Sequence, residues 1–143
     1  MSTMMLNQSM IDELTQILAV PDPKPSEPWR YAIASQTSSA KRDGVLQSVG
    51  QLRDLLASLE DDAFIIVSKP SQPRVFTQAL RMGQRFVTEC SIPNGAGNLL
   101  HQYHDGDGHL PLELAHLIMG AYIMRGGRLP VDWQGKPPAT KQF

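Results

Sequence analysis

The side chains in this sequence best suited to hold a metal are His101, His104 and His109, with Cys90 nearby in the chain. Imidazole and thiolate are the usual ligands of zinc, but they must converge as a tetrahedral set. His101 and His104 stand three apart on a predicted strand, so their side chains start on opposite faces. The chain has no paired Cys-x-x-Cys and no His-Glu-x-x-His. Surface or turn positions are the better account of these histidines. The run Asp105-Gly106-Asp107-Gly108 has the alternating acids of a calcium loop, which also needs glycine at its sixth position and glutamate at its twelfth. Leu110 and His116 stand there instead, so a tight glycine turn holding out two solvated carboxylates is expected. Glu113 and His116 have the spacing used on di-iron helices, a chemistry that needs the motif twice and two further glutamates. A local surface pair is expected. Asn94-Gly95-Ala96-Gly97 holds a lone Gly-x-Gly without the strand-to-helix junction and lysine of a phosphate loop. Cys90 alternates with Phe86 and Thr88, as a buried structural thiol would. No serine occupies a Gly-x-Ser-x-Gly elbow. The expectation is a protein that is not an enzyme and needs no cofactor.

Charge is more informative than any catalytic motif. Residues 63–88 carry Lys69, Arg74, Arg81 and Arg85 and no acid, whereas residues 89–113 carry Glu89, Asp105, Asp107 and Glu113 and no base. Glu60, Asp61 and Asp62 add three consecutive acids. Folding can intermix these charges on an ordinary solvated surface. Alternatively they form an acidic edge that steers and orients a basic partner.

These residues are positioned by a short series of elements. Met10 to Val20 reads as a helix, with Ser9 as its N-cap and apolar residues at helical spacing. Pro21, Pro23, Pro25 and Pro28 then enforce an extended connector. Trp29 to Ala34 is a short strand and residues 35–44 a polar loop. Ser48 and Gln51 have capping-box spacing ahead of the stripe Leu52, Leu55, Leu56 and Leu59, in a helix that stops at the three acids. Ala63 to Val67 is β-branched and apolar, which suits a strand covered on both faces. Val75 to Leu80 and Arg85 to Ile92 flank a hairpin loop at residues 81–84. In the second of these runs Phe86, Thr88, Cys90 and Ile92 alternate with a wetter set. Pro93-Asn94-Gly95 turns the chain into a strand from Asn98 to Tyr103. Pro111 opens a mostly buried helix that Gly126-Gly127 ends. Arg128 to Trp133 adds a last strand, and residues 134–143 are a loose tail. The order predicts an α+β fold, an antiparallel sheet of about five strands packed by two or three helices.

The chain has 143 residues and a formal net charge of −1, with 41% apolar residues. That length suits one domain with a real core, here read as residues 1–143. Within it, residues 1–44 hold the first helix and connector, 45–133 the core and 134–143 the tail. The composition argues against disorder, and the charge balance against a dedicated nucleic-acid binder. A single cysteine forms no internal disulfide. With no signal peptide and no membrane-length apolar run, a cytoplasmic protein that binds neither membrane nor nucleic acid directly is expected.

From Val45 to Trp133 the chain resembles the first immunity-protein family of bacterial polymorphic toxin systems, often encoded beside deaminase toxins. The pieces that carry the resemblance are Leu55-Leu56-Ala57-Ser58-Leu59, the strand Phe64 to Val67, and the strand around Phe86 to Glu89. Leu110-Pro111-Leu112-Glu113-Leu114-Ala115 opens the last helix in the same way. The most specific piece is Gly126-Gly127-Arg128-Leu129-Pro130-Val131-Asp132-Trp133. The resemblance implies a small α+β antitoxin that binds a cognate secreted toxin, one acting on nucleic acid as a deaminase or nuclease, and blocks its active site. Toxins of that kind need basic surfaces, which an acidic inhibitor complements. The partner-binding residues expected on physical grounds are Asp105 and Asp107 in the loop from His104, with Glu60, Asp61 and Asp62 beside it. Tyr103, Asp132 and Trp133 at strand ends are an aromatic anchor or rim, with core packing the alternative for them. Two other readings stand beside this one. A nucleic-acid or ribonucleoprotein accessory would use the basic stretch Lys69 to Arg85, with Phe76 and Phe86 stacking on bases. A small metal-dependent enzyme would use His101, His104 and His109.

Overall fold

A computed structural model describes residues 2–21, 23–35, 41–94 and 97–129. Seven strands form one sheet: β1 (Ser2–Met5), β2 (Trp29–Ser35), β3 (Lys41–Leu46), β4 (Ala63–Lys69), β5 (Gln72–Met82), β6 (Arg85–Asn94) and β7 (Gly97–His104). Their spatial order is β1-β7-β6-β5-β4-β2-β3. Every pairing is antiparallel except β1 with β7, which is parallel. The helices are α1 (Gln8–Ile17), α2 (Val49–Ala57) and α3 (Leu112–Met124). The α+β class is as expected, but the sheet is larger than the five strands anticipated, and mixed.

The two unforeseen strands are its two edges. β3 falls largely in the stretch read as a polar loop, because Lys41, Arg42 and Asp43 are exposed; charge on an edge strand blocks pairing with another chain. β1 is four residues long, too short to show a period. Helix α1 starts earlier than expected, because Asn7 rather than Ser9 caps it, its Oδ1 accepting from the Met10 amide at 2.9 Å. In α2 Ser48 is the cap as anticipated, accepting from Gln51 N at 3.1 Å, though the helix ends at Ala57, before the acids. Gly126 and Gly127 take the left-handed backbone expected after α3. Arg128 and Leu129 are not in a strand, and the remainder of the predicted last strand lies outside the described residues.

Helix α3 carries the fold's centre. It packs on β5 and β6, while α1 and α2 pack on α3, and Ala115 and Ile118 to Ile123 along it are buried. The close approach of these helices depends on Gly120. A Cβ there would stand 2.8 Å from Val49 Cγ1 and 3.0 Å from Leu18 Cδ1. Under the helices the sheet contributes Trp29, Ile33, Leu46, Ile65, Val67, Ala79, Phe86 and Tyr103 to one buried cluster. Trp29 meets Tyr122 of α3 edge-on, with ring centroids 6.0 Å apart. Successive strand residues alternate between this inner face and an outer one, and no described helix packs on the outer face.

Candidate functional site

Strand alternation and register build the outer face in rows. Ala34, Phe64, Leu80 and Val87 pair in sequence across β2, β4, β5 and β6. The next row is Ala32, Ile66, Gln78, Glu89 and Gln102, ending on β7. Phe76 and Leu100 carry the apolar character further along β5 and β7. Phe64, Ile66, Phe76, Leu80, Val87 and Leu100 are all half-buried, held by their neighbours yet open to solvent. Met82, exposed by 48%, extends the patch to the β5–β6 turn. Large contiguous apolar surface on a small domain marks an interaction site. Near its centre Gln78 Nε2 donates to Glu89 Oε1 at 2.7 Å. Both border a shallow depression of about 210 Å³, lined also by Phe64, Ala79, Leu80 and Val87.

Among the described residues β4 is therefore covered on one face only, not on both as its composition suggested: Ala63, Ile65 and Val67 are buried while Phe64 and Ile66 are half-buried. Because both faces of β4 are apolar, its composition conceals the patch in the sequence. The alternation in β6 was its one legible signal, and it holds with one exception. Ser91 turns inward, its Oγ donating to Arg74 O at 2.7 Å beside the Tyr122 hydroxyl.

The two acidic segments meet at one end of the sheet, on either flank of the β5–β6 turn. On one flank Asp61 Oδ1 accepts from Gly83 N at 2.7 Å, and Asp62 N donates to Arg81 O at 3.0 Å. Glu60, Asp61 and Asp62 are all exposed. On the other flank Asp105 is not held out to solvent as expected. Its Oδ2 lies 3.0 Å from Arg85 Nη1, and its Oδ1 accepts from Asp107 N at 2.9 Å. Those contacts, the Asp107 amide first, hold the Asp105 carboxyl below its ordinary range. Asp107 is exposed and His104 half-buried. Tyr103 cannot be an anchor: it is 1% exposed, in the core between sheet and helices. Asp132 and Trp133 lie outside the described residues.

The remaining candidates are used inside the fold. His101 is not a surface residue but 3% exposed. Its two ring nitrogens have no hydrogen-bond partner, and burial lowers its pKa. Among the described residues no three histidine, cysteine or acidic side chains converge as metal ligands. Cys90 is fully buried, and burial pushes its thiol up to about 12. Glu113 and His116 do not pair with each other. Glu113 forms an ion pair with Arg53 of α2, and His116 Nε2 lies 2.8 Å from Val49 O. The cations of the basic stretch also have partners: Lys69 approaches Glu27 at 3.8 Å, Arg81 Nη1 donates to Leu59 O, and Arg85 holds Asp105. Phe86 is buried and Phe76 faces outward, so the two do not form one stacking surface. No described helix is long and apolar enough to cross a membrane. No family model, curated protein or solved structure matches the chain.

Proposed function

We propose that this protein is an immunity-type inhibitor: it binds a toxin stoichiometrically in the cytoplasm through the outer face of its sheet and covers the toxin's active site. The observation that carries this reading is the apolar row Ala34, Phe64, Leu80 and Val87, half-buried and covered by no described helix, bordered at the β5–β6 turn by exposed acids. An apolar centre with a charged rim is the usual anatomy of a protein-binding surface. Its acidic rim complements the basic surface of an enzyme that acts on nucleic acid. The resemblance from Val45 to Trp133 supports the same reading. This reading is favoured over the nucleic-acid alternative because Lys69, Arg81 and Arg85 are engaged within the fold and Phe76 and Phe86 face opposite ways.

Co-expression with the product of the adjacent gene tests the proposal. The expected result is a one-to-one complex and rescue of cells poisoned by that product. Leu80→Asp, on a half-exposed position, should abolish both while leaving the far-ultraviolet circular dichroism unchanged. Absence of both complex and rescue with the unaltered protein would overturn it.

A further inference from the structure

Glu89 is the anomaly of the outer face. It sits near the middle of the sheet, half-buried, and lines one depression with Phe64, Leu80 and Val87. Among the described residues no lysine, arginine or histidine forms an ion pair with it; its neighbour is the neutral amide of Gln78. A carboxylate offers about four acceptor sites, and the Gln78 amide nitrogen occupies one of them. The depression beside it is walled by one aromatic ring and two aliphatic side chains. Such walls suit the methylene stem of a long cationic side chain, and a ring face attracts a guanidinium more strongly than water-exposed aliphatic surface does. The planar fork of arginine also matches a carboxylate in two-point contact, which an ammonium does not.

We propose that this depression receives one arginine side chain of the protein partner, its stem against Leu80 and Val87, its guanidinium over Phe64 and on the Glu89 carboxylate. The complex then supplies the counter-charge that Glu89 lacks among the described residues. The inference deepens the reading of the outer face as the toxin-binding surface and names the group that face selects.

The test begins without the partner. The full chain, labelled at leucine and valine methyls, is titrated with N-acetyl-arginine amide and, separately, with the uncharged N-acetyl-citrulline amide of the same shape. The expected result is millimolar, saturable shifts at the Leu80 and Val87 methyls with the arginine compound only. Glu89→Gln, which keeps the side-chain volume and polarity, should abolish them. Equal responses to both compounds, or shifts confined to the acidic loops, would overturn the proposal on the unaltered protein. In the complex, Glu89→Gln should weaken toxin binding about tenfold or more. Affinity within twofold of the parent, in a complex that does form, would reject the arginine receptor while leaving toxin binding intact. Selective arginine binding without any toxin complex would instead uphold the receptor and reject the proposed function.

Discussion

His101 couples the stability of this fold to pH with a sign that follows from its surroundings. In the native state the ring is buried with neither nitrogen hydrogen-bonded, and its pKa lies below the ordinary 6.5. In the unfolded chain the ring titrates normally. The unfolded state therefore binds the extra proton first as pH falls, so stability is complete above the unfolded pKa and declines below it until the native pKa is reached. One such proton corresponds to about 1.4 kcal/mol per pH unit in that window. Between about pH 7.5 and about pH 5.5 one such proton can cost at most about 1.4 kcal/mol. His116, lowered chiefly by burial, acts in the same direction. His101→Leu removes one of the two contributions and replaces two unpartnered nitrogens with apolar surface. Urea denaturation of both proteins at the two pH values measures the effect. The variant should be at least as stable as the parent near neutrality, with its advantage larger at the lower pH by no more than about 1.4 kcal/mol. A difference that is the same at both values would refute the reasoning, because it would mean the native ring protonates as freely as the unfolded one.

Further outcomes follow from the same geometry. Gly127→Ala should cost about 2–4 kcal/mol in chemical denaturation, since Gly127 has φ +98° and an added Cβ would stand 2.1 Å from Val75 Cγ1. Asp105→Lys should lower stability by about 1 kcal/mol by breaking the Arg85 contact, whereas Asp107→Lys, at an exposed site, should leave the melting temperature nearly unchanged; equal effects would show that the loop is not clamped through Asp105. The Cys90 thiol should resist a disulfide exchange reagent in the native protein and react fully in urea, because it is fully buried and its pKa is pushed up to about 12.

Local signals were readable wherever the determining contacts lie within a turn or two of chain. Ser48 and Gln51 announce α2 because the cap bond spans three residues. Pro111 and the Gly126-Gly127 pair bracket α3 because ring geometry and left-handed backbone are properties of single residues. The α+β class follows from a strand series between helices. By contrast, which face of β4 meets solvent depends on where α1, α2 and α3 pack, and Phe64 and Ile66 are as apolar as the buried Ile65 and Val67. Edge strands β1 and β3 owe their conformation to β7 and β2, their partners in the sheet, and their own residues carry too little period to show it. The fate of Asp105 was set by Arg85, 20 residues away, and that of Glu113 by Arg53, 60 residues away. Glycine-flanked acids in a loop look free in sequence; only the folding of β6 beside β7 brings a guanidinium within reach. Composition and spacing thus determined the class of fold and the positions of its helices. The open face, its central carboxylate and the buried His101 were decided by tertiary packing, because exposure and charge pairing are properties of neighbours that the chain brings together only when folded.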